Sequence, residues 1–158
     1  MLADFPLIID HAQLVVQAGD HPAPGLLWTQ DHVAQGFAWS ERLVSFGVPD
    51  HDGEARIQVE LSATATLDPQ ALWAVQVPFR VTGPLRIGTI FDTTPVAVPN
   101  GSYIVTYQGL PGPPGAYLLR LSFTLEDAPS FRILKRGGDI TAEQVLRRDA
   151  EPASPVGQ

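Results

Sequence analysis

Side chains that perform chemistry in proteins are sparse in this chain of 158 residues. Its four histidines are His11, His21, His32 and His51, and no two of them have the close spacing of a zinc-binding pair. The chain has no cysteine. Disulfides, thiolate metal sites and thiol nucleophiles are therefore excluded.

An acidic turn is the other candidate for chemistry, because Asp50, Asp52 and Glu54 alternate along it. A full calcium site needs about six to eight oxygen ligands and a later bidentate acid, but Arg56 and Gln58 follow instead. We interpret the turn as solvated, with a protein contact as the alternative. The Gly-x-Ser-x-Gly elbow and the glycine-rich phosphate loops are also missing. We expect no enzyme activity, metal or cofactor, although an active site built from scattered loops stays open.

Tryptophan is enriched at the energetic centres of protein interfaces, and this chain has Trp28, Trp39 and Trp73. The alternative for each is packing in the core, since an indole buries a large apolar area. Trp28 is the best candidate for exposure, because it joins a loop rich in Pro and Gly to a predicted short helix.

The net charge of −7 is unevenly distributed along the chain. Residues 1–68 hold ten acids and two bases, whereas residues 69–158 hold seven acids and eight bases. Phosphate backbones repel a negative protein, so direct binding to nucleic acid is disfavoured. A basic protein would be attracted instead. The alternative is that the charge serves only solubility.

The amino terminus lacks the basic segment of a signal peptide, and Asp4 and Asp10 interrupt its apolar residues. No apolar run approaches the roughly 20 residues that cross a bilayer. We therefore expect a cytoplasmic protein without membrane insertion.

Most of the sequence alternates apolar and polar residues, which is typical of strands with one buried face. Such segments lie at 43–46, 56–61, 75–81, 103–107, 119–125 and 131–134. Residues 8–16 are interpreted as one further strand with a kink near His11, and Pro99-Asn100-Gly101 predicts a tight reversal. Roughly seven or eight strands with frequent turns predict an antiparallel β-sandwich.

Helical signals are few. Residues 29–36 predict a short helix that Thr29 can cap and Gly36 can end. A second short helix is predicted over residues 140–148, and residues 151–158 are predicted to be disordered. The expected fold class is mainly β, an antiparallel β-sandwich with one or two short helices.

Several stretches of this sequence share their order with a known family. They are Trp28-Thr-Gln-Asp-His-Val-Ala-Gln-Gly-Phe-Ala38, Val44-Ser45-Phe46, Val77-Pro78-Phe79, Ile87-Gly88-Thr89-Ile90 and Val98-Pro99-Asn100-Gly101-Ser102-Tyr103. Together they resemble the competence protein J family from about residue 5 to residue 136. The expected domains are a β-sandwich over residues 1–136 and an extension over residues 137–158, a short helix followed by a disordered tail.

The resemblance implies a protein inhibitor of a DNA-degrading nuclease, since the family is named for an inhibitor of a DNA-entry nuclease. An acidic inhibitor would be drawn to the basic groove in which a nuclease holds DNA. The expected partner is a nuclease or another basic protein. The candidate contact residues are Trp28, Asp31, Asp50, Asp52 and Glu54. The alternative is a β-sandwich that binds some other partner or ligand.

Overall fold

The computed structural model of the chain describes residues 1–9, 12–18, 25–49, 53–89, 92–112 and 116–151. Over these residues the chain forms strands and one short helix. In chain order these are β1 (Ala3–Ile9), β2 (Gln13–Ala18), α1 (Gln30–Gln35), β3 (Phe37–Trp39), β4 (Leu43–Gly47), β5 (Gly53–Leu61), β6 (Trp73–Val81), β7 (Leu85–Gly88), β8 (Thr93–Val96), β9 (Gly101–Pro111), β10 (Tyr117–Leu125) and β11 (Arg132–Lys135). The helix of the described part, with six residues, is too short to cross a membrane.

The strands form two sheets that pack against each other. The first sheet has the order β1-β5-β10-β9-β6-β11, and the second has the order β3-β4-β2-β7-β8. Neighbouring strands run antiparallel, except that β5 and β10 are parallel. The predicted fold class, a mainly β sandwich with a short helix, is confirmed.

Aromatic side chains join the two sheets in the core. Tyr107 of β9 stacks on Phe46 of β4, with ring centroids 4.6 Å apart. The Tyr107 hydroxyl also donates a hydrogen bond to the carbonyl oxygen of Gly47 at 2.8 Å. Trp73 lies so close to Gly109 that a Cβ at this glycine would collide with the indole. The core therefore ties β6 and β9 of the first sheet to β4 of the second.

The connection from β5 to β6, residues 62–72, crosses the first sheet, because β10 and β9 lie between these two strands. The Asp68 amide donates to Gln108 Oε1 of β9 at 2.8 Å, and the Asp68 carboxylate accepts from Arg120 of β10 at 2.9 Å. A hydrogen bond from the Gln70 amide and the Arg120 guanidinium hold the pKa of Asp68 below its usual range. These contacts fix the crossover to the outer face of the sheet.

The single strand predicted over residues 8–16 is wrong, because β1 and β2 belong to different sheets. Between them Ala12 has a φ of 52°, in the left-handed region that few non-glycine residues adopt. His11, where the kink was expected, lies outside the described residues. The alternation of apolar and polar residues could not locate the break between β1 and β2, because the buried residues of both strands pack in the same core.

The tight reversal predicted at Pro99-Asn100-Gly101 is also wrong as a hairpin. The strand before it, β8, lies in the second sheet, and the strand after it, β9, lies in the first. Asn100 instead accepts a hydrogen bond from the Gly83 amide at 2.8 Å, and the Tyr103 hydroxyl donates to the Pro99 carbonyl at 2.7 Å. The segment therefore connects two sheets.

The helix predicted over residues 140–148 is not formed. The amides of Thr141 and Ala142 both donate to the Ala34 carbonyl at the end of α1. The amides of Leu146 and Arg147 donate to the Gln35 side chain. These backbone amides therefore donate to α1, whereas a helix would need them to donate to carbonyls within residues 140–148. The end of the predicted tail, residues 152–158, lies outside the described residues.

Candidate functional site

Helix α1 begins after Thr29 and ends at Gly36, as the sequence predicted. The Thr29 amide donates to His32 Nδ1 at 2.9 Å, so a histidine takes the role that Glu or Gln has in a capping box. The other ring nitrogen, Nε2, lies 2.9 Å from the Asp149 carbonyl oxygen and must carry the proton. Gly36 ends the helix with a φ of 87°. Through these two hydrogen bonds the ring of His32, which is 1% exposed, connects the helix to the carboxyl-terminal segment.

An open groove of about 550 Å³ lies between α1 and the segment that follows β11. Residues before and within the helix form one wall, and residues after β11 form the other. The lining consists of Trp28, Thr29, Gln30, Val33 and Ala34 on the helix side, and Gly138, Asp139 and Thr141 on the other side. Val33 is 47% exposed, so the groove offers an accessible aliphatic surface.

A tight turn brings the second wall into place. Gly137 and Ile140 exchange backbone hydrogen bonds, and Ile140 is buried against Gly36. Gly138 has a φ of 57° and lies against Pro49 and Trp73, where a side chain would collide. Glycine is therefore required at this position by both its backbone conformation and its neighbours.

Residues 137–151, called the clasp below, continue along the helix. Besides the Asp149 contact with His32, the Glu151 carbonyl accepts a hydrogen bond from the Leu27 amide at 2.8 Å. Just before β11, Phe131 stacks on Phe37 of β3 with centroids 5.9 Å apart. The Arg148 guanidinium lies 5.7 Å from the centre of the Phe131 ring. The clasp therefore contacts the chain before α1 and at the end of α1, and Arg148 reaches the edge of the sandwich at Phe131.

Of the predicted contact residues, Trp28 lies in the groove. Its ring meets that of His32 edge to face at 6.2 Å, and it packs beside Gly47. The residue is only half-buried, but its indole N–H is buried and has no hydrogen-bond partner within the described residues. Trp28 therefore combines the two interpretations of the sequence, since part of its ring packs inside and part lines an open surface.

The acidic candidates that the structure describes are not among the residues that line the groove. Asp31 is exposed on α1 but does not line the groove. Glu54 is exposed at the start of β5, opposite Ile8 of β1. Asp50 and Asp52 lie outside the described residues, between Pro49 and Gly53. Pro49, the last described residue before them, contacts Gly138 of the groove wall.

Sequence reasoning missed Val33 and Asp139. The helical repeat could have identified Val33 as exposed. His32 and Gln35 are the buried residues of α1, and Val33 lies on the opposite side of the helix. Asp139 had no such signal. Its position depends on the clasp folding back onto a helix more than 100 residues earlier in the chain.

The acids beside the groove are not held in ion pairs with any residue that the structure describes. Four acids form ion pairs with arginines: Asp4 with Arg56, Asp68 with Arg120, Glu143 with Arg136, and Asp149 with Arg147. Asp31 and Asp139 have no ion pair within the described residues. The groove and its helix therefore carry negative charge that no described arginine neutralises.

A second cleft, of about 380 Å³, lies where β3 ends. Trp39, Arg42 and Arg80 line it together with Glu41. The Trp39 indole N–H is engaged there, because it donates to the Pro78 carbonyl at 2.7 Å. Among the described residues, no group of three or more His, Asp or Glu could hold a metal ion.

Comparisons with known proteins address the family and the fold. The model of the family described as competence protein J (ComJ) matches residues 6–126. The crystal structure of ComJ from Bacillus subtilis, described as an inhibitor of the DNA-degrading activity of NucA, is similar with a TM-score of 0.70 and 23% identity. That similarity covers 78% of this chain and 96% of that chain. A search of curated proteins gave no match. Strand β11 and the clasp lie beyond the family match.

Proposed function

Because the chain belongs to the competence protein J family, we propose that it is a protein inhibitor that binds and blocks a DNA-degrading nuclease. The family match over residues 6–126 carries this proposal. The fold shared with the NucA inhibitor of Bacillus subtilis supports it. The chain acts by binding and not by catalysis.

Inhibition of this kind follows from charge and shape. A nuclease holds DNA in a positively charged groove, because phosphate contacts dominate its affinity for nucleic acid. A protein with a net charge of −7 is attracted to that groove and repelled by DNA. Once bound, it excludes the substrate sterically. A specific complex of this type buries about 800 Å² on each partner, so the contact extends beyond the groove itself.

The surface around α1 is the contact face in this proposal. It combines a half-buried indole at Trp28, an exposed aliphatic side chain at Val33 and the acid Asp31, a mixture that suits the centre and rim of an interface. The second cleft is less suitable, because Arg42 and Arg80 would repel a basic partner.

The acidic turn belongs to the same proposal. Asp50, Asp52 and Glu54 would extend the negative surface from the groove toward the start of β5. The support is the position of Pro49, which precedes these residues in the chain and contacts Gly138 of the groove wall.

The direct test uses a purified nuclease whose gene is sought beside this one, called the neighbouring nuclease below. We expect the chain to suppress DNA degradation, and more weakly at high salt, because the screening length falls from about 10 Å at 0.1 M to about 3 Å at 1 M. A nuclease that stays fully active with micromolar excess of the chain contradicts the proposal. A pull-down that returns an unrelated protein would then favour a binding module without a nuclease role.

A further inference from the structure

The clasp supplies one complete wall of the groove. Gly138, Asp139 and Thr141 face Trp28 and Val33 across it. The family match ends at residue 126, so this wall lies outside the matched residues, whereas the α1 wall lies within them. The groove is therefore built jointly by the family core and by an element that follows it.

The clasp is held firmly enough to position a charge. Ile140, the residue after Asp139, is 5% exposed and packs on Gly36. The next two amides, of Thr141 and Ala142, both donate to the Ala34 carbonyl at 2.9 and 3.0 Å. Asp139 itself is exposed. An exposed carboxylate on an anchored turn is pre-organised, which lowers the ordering cost of binding.

The chemistry of the groove indicates what would occupy it. A lysine or arginine side chain has an aliphatic stem that packs on apolar surface and a cationic end that stays polar. Trp28 and Val33 provide that apolar surface, and an indole also attracts a cation to its face. Asp139 provides the opposite charge. The nearby Arg136 does not neutralise it, because Arg136 pairs with Glu143 at 3.5 Å.

We propose that the clasp is part of the recognition surface, and that a lysine or arginine side chain of the nuclease inserts between α1 and the clasp, with its charge beside Asp139. This inference rests on the proposed function. A basic side chain is also what the DNA-holding surface of a nuclease presents. Since the clasp follows the matched family residues, it contributes to the choice of nuclease beyond what the family core provides.

The test compares two charge reversals, Asp139→Lys and Asp127→Lys. Both side chains are exposed and have no ion pair within the described residues, and both substitutions change the net charge equally, but only Asp139 lines the groove. Inhibition of the neighbouring nuclease is titrated for each variant. We expect Asp139→Lys to raise the half-inhibitory concentration at least about tenfold, because it places like charges together, and Asp127→Lys to raise it less than about threefold.

The outcomes separate this inference from the proposed function. A wild-type chain that fails to inhibit overturns both. A wild-type chain that inhibits, with Asp139→Lys and Asp127→Lys shifting the titration equally, overturns only the inference. Thermal unfolding of both variants is measured alongside, and both should melt close to the wild type because both sites are exposed.

Discussion

The side chain of Gln35 and the backbone of Arg147 exchange hydrogen bonds in both directions, although 112 residues separate them. Gln35 Nε2 donates to the Arg147 carbonyl at 2.7 Å, and Gln35 Oε1 accepts from the Arg147 amide at 2.9 Å. The side-chain amide of Gln35 also donates to the Phe37 carbonyl and accepts from the backbone amide of Leu146. Every donor and acceptor of this fully buried side chain is therefore used. Three of these hydrogen bonds attach the clasp to α1, in addition to the contacts of His32 and of the Ala34 carbonyl.

Replacing Gln35 by Leu should release this attachment. The substitution leaves the amides of Leu146 and Arg147 and two carbonyls without their partner, and we expect the free energy of unfolding to fall by about 3 kcal/mol. Gln30→Leu, on the exposed side of the same helix, is the matched control and should change it by less than about 0.5 kcal/mol. Urea denaturation measures both. Equal effects of the two substitutions would show that Gln35 does not anchor the clasp.

Hydrogen exchange provides a second readout of the same substitution. The amides of Leu146 and Arg147 should exchange faster in Gln35→Leu, whereas core amides such as that of Val105 should keep their protection relative to global unfolding. Unchanged exchange at residues 146 and 147 would mean that water or another group replaces the glutamine.

Trp39→Phe tests how the sandwich edge is closed. Pro78 lies on β6 beyond the residues that pair with β11, so its missing amide hydrogen costs no strand hydrogen bond there, while its carbonyl accepts from the Trp39 indole. Phenylalanine retains aromatic packing against Phe131 but cannot donate. We expect a loss of about 1 kcal/mol in unfolding free energy, measured by urea denaturation. A variant as stable as the wild type would show that the indole hydrogen bond contributes nothing net.

Alkaline pH should destabilise the fold through its buried tyrosines. Burial raises the pKa of Tyr107, and also that of Tyr103, above the usual value of about 10. Above pH ~10 the unfolded chain therefore loses tyrosine protons that the folded chain retains, so stability falls as pH rises; below that pH the effect is absent. The slope is at most about 1.4 kcal/mol per pH unit for each tyrosine.

Tyr107→Phe isolates the larger contribution. The variant loses the hydrogen bond to Gly47 and should be less stable at neutral pH by about 1 kcal/mol. Its stability should then fall less steeply between pH 10 and 11 than that of the wild type. Identical slopes in the two proteins would exclude Tyr107 as the titrating group.

Much of the first sheet could be anticipated from sequence. Strands β5, β6 and β10 alternate because each has one face on the core, and period-two patterning detects that arrangement wherever it occurs. Helix α1 was found from Thr29 and Gly36, whose cap roles depend on local backbone geometry. Local rules succeeded where the deciding partners are near in sequence.

The remaining features depend on distant partners. Residues 140–148 have helical composition, but their amides meet α1 before they can bond one another. The separation of β1 from β2 reflects a change of sheet that alternation does not record. The groove was only half anticipated, through Trp28, because its other wall at Asp139 forms by long-range folding.

The proposed function depends most on inhibition through the surface around α1. The most direct measurement is a titration of DNA degradation by the neighbouring nuclease with wild type, Val33→Arg and Thr66→Arg. Both substitutions add one positive charge at an exposed position, but Thr66 lies on the crossover outside the groove. We expect near-stoichiometric inhibition by wild type and Thr66→Arg, with at least about tenfold more Val33→Arg required. Full nuclease activity in micromolar excess of the wild-type chain would contradict the account.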